Sequence, residues 1–129
     1  MPYDISWLVE KQVINLILDG EMTVETIDEM SKAIIEYLDS SDKPLVHLLI
    51  DDSNARSSIR HIKSVTEVGK SLSHPRFGWL IIYGSTNKTY QFMAYMISQV
   101  TKIRHRRFGT LDEAIQFLQT VDVTLPSEI

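Results

Sequence analysis

The sequence predicts a single α/β domain over residues 1–129, with a mixed five-stranded sheet and four helices in the order β-β-α-β-α-β-α-β-α. Three observations predict it. Two runs of aliphatic and β-branched residues, Ser6 to Glu10 and Val13 to Asp19, are separated only by Lys11-Gln12, as in a hairpin. Two further runs, Leu45 to Ile50 and Gly78 to Gly84, are nearly continuous in apolar residues, as strands covered on both faces are. Helical periods fall between the later strands, which implies right-handed crossovers and a largely parallel sheet. Leu45–Ile50 and Gly78–Gly84 are therefore expected to be buried and parallel, with Val13–Asp19 nearby and the opening hairpin adding an antiparallel edge.

Each element has its own signals. Gly20 is expected to end the second strand. Thr23 is a candidate N-cap for a helix whose apolar stripe is Val24, Ile27, Met30, Ile34 and Leu38, with acids on the remaining faces. Asp39 near that helix's C-terminus opposes the dipole, and Pro44 cannot continue the helix. Asp51-Asp52-Ser53-Asn54 reads as a loop ending the next strand. Ser57-Ser58 can cap a second helix with Ile59, Ile62, Val65, Val68 and Leu72 inward, stopped by His74-Pro75. A third helix is expected over Lys88 to Ile103 and a short strand over Arg104 to Phe108. Thr110 then caps a fourth helix lined by Leu111, Ala114, Ile115, Leu118 and Val121, with Glu113 at the capping-box position.

Composition excludes several classes. There is no cysteine, so disulfides, thiolate catalysis, zinc ribbons and iron–sulfur clusters are removed together. The longest apolar run, residues 92–97, is far short of the roughly 20 residues of a membrane-spanning helix. The first residues resemble no signal peptide, and a cytoplasmic location is the expectation. The net charge of −4 is unevenly spread. Residues 1–58 hold twelve acids and four bases, residues 59–129 five acids and nine bases, so the halves carry −8 and +4. Such asymmetry can orient self-association or steer a charged partner.

The hairpin ending in Leu18-Asp19-Gly20 before an acidic helix, the strand Leu48-Leu49-Ile50-Asp51-Asp52-Ser53, and the basic strand and helix from Arg104 to Leu118 together resemble a STAS domain. More narrowly the chain is similar to the SpoIIAA-like group of anti-sigma-factor antagonists, which shares features with CRAL-TRIO lipid carriers. The resemblance implies a regulatory serine at the start of the helix after the central strand, phosphorylated within Asp-Ser-Ser-Gly. Ser57 and Ser58 stand at that place, without the preceding Asp and following Gly. A phosphate there would meet a helix N-terminus near Arg56 and Arg60; otherwise one of these serines is a cap.

No acid–base or nucleophile constellation is legible. His47, His61, His74 and His105 are scattered, and His47, inside a buried-type strand, reads as a hydrogen-bonded core histidine. Ser85, Thr86, Asn87 and Lys88 between strand and helix form a candidate anion site, although the P-loop spacing is missing. Asp51 and Asp52 at the end of a central strand could hold Mg²⁺, but read mostly as turn carboxylates. The apolar residues of the third helix wrap most of its circumference, and Phe92, Tyr95 and Met96 are the excess: a candidate homodimer face, a ligand-pocket wall or ordinary core. Lys102 to Phe108 is a dense basic cluster, read as a charged edge strand rather than a nucleic-acid surface. The expectation is a non-enzymatic, cofactor-free module that forms a homodimer or binds a regulatory protein; the alternative is a carrier of a small apolar ligand.

Overall fold

The structure is a computed structural model that describes residues 2–56, 69–84 and 103–129. The candidate serines Ser57 and Ser58, the candidate anion site Ser85, Thr86, Asn87 and Lys88, and the candidate interface Phe92, Tyr95 and Met96 lie outside the described residues.

Five strands, β1 (Tyr3–Val9), β2 (Val13–Glu21), β3 (Val46–Arg56), β4 (Phe77–Tyr83) and β5 (Arg104–Phe108), form one sheet in the spatial order β1-β2-β3-β4-β5. β1 runs antiparallel to β2, and every later pair is parallel. The mixed sheet and the buried parallel pair β3–β4 agree with the sequence reading. Two helices are described in full, α1 (Val24–Ser40) and α2 (Leu111–Val121), and residues 69–71 are helical where the second predicted helix should end.

The period of two in each strand divides the core into two layers. Leu48 and Leu80 face α1, whose Ile27, Met30, Ile34 and Leu38 are buried against them together with Ile5 and Trp7 of β1. Leu49, Ile81 and Tyr83 face the other way, under Ala114 and Leu118 of α2 and Leu125 beyond it. Both stripes are narrower than the sequence suggests. Val24 and Val121, at the first and last positions of their helices, are 51% and 41% exposed. Thr23 caps α1, its hydroxyl accepting from Thr26 N–H at 3.1 Å. Thr110 caps α2 by accepting from Glu113 N–H at 3.2 Å, and its hydroxyl donates to Glu113 Oε1. Asp39 at the unfavourable end of α1 pairs with His74 Nε2 at 2.7 Å, which offsets its clash with the dipole.

Asp51 to Asn54 is strand, not loop, and Gly20 does not end β2. The ladder continues because Asp19, Gly20 and Glu21 pair with Asn54, Ala55 and Arg56 after a register shift. Between Ile17 and Asp19, β2 spans two steps where β3 spans three, so β3 carries a bulge at Asp52-Ser53. Ser53 N–H is satisfied there by Asp51 Oδ1 at 3.0 Å, which also accepts the Ser53 hydroxyl at 2.6 Å. Gly20 tolerates the resumed ladder at φ 115°.

Leu48 is buried between α1 and the sheet centre, with 1% of its surface exposed. Leu48→Ala should lower unfolding free energy by about 2–5 kcal/mol, measured by urea denaturation, whereas Val24→Ala should change it by about 0.5 kcal/mol or less.

Candidate functional site

The polar groups of the sheet gather at three places: the start of β3, the ends of β3 and β4, and the outer rim along β5. At the first, His47 is wholly buried. The β3–β4 ladder shifts register between Val46 and Leu48, leaving an extra residue in β4 at Gly78-Trp79. The Trp79 N–H at this bulge donates to His47 Nδ1 at 3.0 Å. In the neutral ring Nε2 then carries the proton and donates to Asp122 Oδ2 at 2.8 Å. Asp122 Oδ1 accepts from the Thr124 N–H at 3.0 Å and hydroxyl at 2.6 Å, and Gln12 Nε2 donates to Thr124 Oγ1 at 3.0 Å. The β1–β2 turn, β3, β4 and the segment after α2 are thus joined through one imidazole. Burial pushes His47 below its ordinary value, against the pull of Asp122 and aided by Arg104. Burial alone would raise Asp122, but hydrogen bonds from Thr124 and His47 outweigh it and hold that carboxyl low.

The ring fits because residue 78 has no side chain. A Cβ there would lie 2.4 Å from His47 Nδ1 and 2.6 Å from Cε1. Both ring nitrogens are engaged, so this His–Asp pair joins parts of the fold rather than presenting a base to solvent. The sequence reading of His47 as a core histidine is correct. Its partner Asp122 lies 75 residues away, and Gly78 beside an aromatic strand is the one local sign that something large must pass there.

At the opposite end of β3, the Asp52 side chain is 4% exposed and its Oδ2 accepts from Arg107 Nη2 at 3.2 Å. Asp52 Oδ1 is buried with no hydrogen-bond partner among the described residues. Burial raises its pKa most, Arg107 opposes this, and the neighbouring Asp51 adds to it. The pair reaches across β4 and ties β5 to the centre of the sheet. Asp51 is turned to its own bulge, and Gly84, at φ 92°, passes close enough that a Cβ would lie 2.9 Å from Asp51 Oδ1. The two adjacent aspartates therefore do not act as one site: one fills a bulge, the other pairs with arginine. Among the described residues no three His, Asp or Glu side chains converge as metal ligands.

The outer rim is chemically different. Arg104 lies over the Trp79 ring and Arg106 over that of Phe117 in α2, each with its guanidinium carbon 5.7 Å from the ring centroid. Trp79 and Phe117 stack edge to face 4.9 Å apart. A concavity of about 650 Å³ runs along this rim, lined by Trp79, Ile82, Ile103 and Arg104 to Arg107. The basic cluster is therefore an edge strand, with Arg104 and Arg106 on one face and His105 and Arg107 on the other, as expected of alternate residues.

This strand order, with α1 on one face and α2 on the other, is a mixed α/β fold of the SpoIIAA-like kind. The chain is similar to an uncharacterised protein of the DUF3478 family with a SpoIIAA-like fold from Shewanella loihica PV-4. The two share a TM-score of 0.65 and 16% sequence identity over 90% of this chain and 91% of that one, a likeness of fold. No protein-family model matches the sequence, and no curated protein matches it. No described helix is long and apolar enough to cross a membrane.

The central clamp generates two expectations. Gly78→Ala should destabilise by about 1–3 kcal/mol, because the methyl group meets an imidazole held on both nitrogens. Adding His47→Ala should cost less in that background than alone, a non-additivity read from a double-mutant cycle in urea.

The pH dependence follows from the same groups. His47 is neutral in the fold, while the unfolded chain takes up a proton near pH 6.5. Its contribution is complete above that pH and declines as pH falls through it, by at most about 1.4 kcal/mol per pH unit for one proton. Asp122 contributes fully above about pH 3.8, and its share is lost as pH falls through its lowered folded value. Urea midpoints from pH 8 to pH 5 should fall in the wild type, with a shallower slope in His47→Gln.

Proposed function

We propose that this chain is a non-enzymatic, cytoplasmic protein-interaction or regulatory module of the STAS-like type, and that it self-associates. The observation that carries the reading is the separation of charge between the two rims of the sheet. Asp4 on β1 and, near it on α1, Glu29 and Glu36 are exposed at the β1 side, while Arg104 and Arg106 are exposed on β5 at the far side. The interior ionisable groups support it from the other direction. His47, Asp122 and Asp52 are occupied in joining strands, which leaves the rims as the chemically distinctive surfaces. Complementary potentials of this kind set orientation and association rate more than affinity. The module would then work by binding, without a cofactor of its own.

The concavity along β5 favours a second reading, a carrier of a small ligand. Its wall combines Trp79, Ile82 and Ile103 with basic residues, which suits an amphiphile with an anionic end better than a wholly apolar molecule.

Native mass spectrometry of the purified protein separates the two. The module reading expects multiples of the bare 14.8 kDa chain, whose proportion falls as the protein is diluted. A stoichiometric lipid-like adduct on the monomer, with no multimer at any concentration, would replace that reading with the carrier.

A further inference from the structure

The sheet has two outer edges, β1 and β5, and among the described residues neither pairs with a further strand. Unpaired edges are templates for another chain, and charge commonly decides which one. Here the edges carry opposite exposed charges on the α2 face. On the α2 face, β1 presents the exposed Asp4, and β5 presents the exposed Arg104 and Arg106. On the α1 face, Glu29 and Glu36 lie close enough to β1 for their charge to act on Tyr3. The corresponding face of β5 carries His105 and Arg107, and Arg107 is already paired with Asp52, so the complementary charges are those of the α2 face.

We infer that the partner of the β5 edge is the β1 edge of a second copy of this chain, added head to tail so that the two sheets become continuous. This rests on the self-association reading above and names its interface. A head-to-tail copy whose β1 runs antiparallel to β5 keeps α1 on the same side of the joined sheet, so Asp4 meets Arg104 and Arg106 on the α2 face. The same charges oppose the symmetric alternatives, since β5 on β5 sets bases against bases and β1 on β1 sets acids against acids. The lengths are compatible: the five residues of β5 span roughly 17 Å, within the seven of β1. The arginines are also held in place. With their guanidinium groups over the rings of Trp79 and Phe117, Arg104 and Arg106 lose less freedom on pairing than free side chains would. Because this contact joins different surfaces, it does not stop at two copies unless the rotation closes a ring.

Sedimentation velocity with reversed charges tests the interface. Wild-type protein should associate at about 100 μM in low salt, with the association constant falling about tenfold or more on going to about 0.5 M NaCl. Arg104→Glu with Arg106→Glu should be monomeric, and so should Asp4→Lys with Glu36→Lys, while an equimolar mixture of the two variants should associate again. Arg104→Gln with Arg106→Gln gives a milder variant should reversal disturb folding, and circular dichroism confirms the fold of each. If wild type associates and all variants do so equally, self-association stands but this interface is wrong. A wild type monomeric under every condition would overturn both. If that monomer instead binds a synthetic Glu-Val repeat peptide through Arg104 and Arg106, the edge belongs to an acidic strand of another protein and not to a second copy.

Discussion

Burying a histidine at the start of a central strand is costly unless each ring nitrogen has a partner, and much of this fold is arranged around meeting that condition. The two bulges flanking the middle of β3 share one logic. Where β4 gains a residue at Gly78-Trp79, the Trp79 amide turns to His47 Nδ1; where β3 gains one at Asp52-Ser53, the Ser53 amide turns to Asp51. In both cases a β3 side chain replaces a ladder hydrogen bond, so the irregularities leave neither amide unpaired. The imidazole's second nitrogen then draws in Asp122, and with it the segment that follows α2. Removing any member strands a buried polar group, which is why the network behaves as a unit rather than as separate bonds.

This arrangement separates interior chemistry from surface chemistry. The buried acids are consumed by the fold, Asp122 by His47 and Thr124, Asp52 by Arg107. The Asp52–Arg107 pair also anchors β5, a strand with three arginines among four residues. Arg104 and Arg106 settle on aromatic rings, and the edge remains strongly charged without being loosely held. Charged side chains that already rest on aromatic rings suit recognition, because less freedom is lost when they pair.

Much of the architecture was legible in the chain. Continuous apolar runs marked the buried parallel strands, since a strand covered on both faces has no polar side to show. The helix starts at Thr23 and Thr110 were readable because a capping hydroxyl acts within three residues of itself. Asp51 to Asn54 misled, because turn-forming residues do not reveal that a neighbouring strand extends far enough to pair with them. The stripe positions Val24 and Val121 misled for a related reason: periodicity gives a helix's inward side but not which of its positions find a neighbour to cover them.

What the sequence determined by itself was the five strands of the mixed sheet, the helices that start after Thr23 and Thr110, and the segregation of acids and bases along the chain. These depend on local periodicity and on chain-wide counts. Only the tertiary structure decided that His47 meets Asp122, that Gly78 makes room for the ring, that Asp51 and Asp52 have separate tasks, and that Asp4 lies on one edge strand while Arg104 and Arg106 lie on the other. The reason is sequence separation. His47 and Asp122 are 75 residues apart, and Asp52 and Arg107 are 55, so nothing in either local pattern encodes the partner. Such pairs come together only after the strands have taken their order in the sheet.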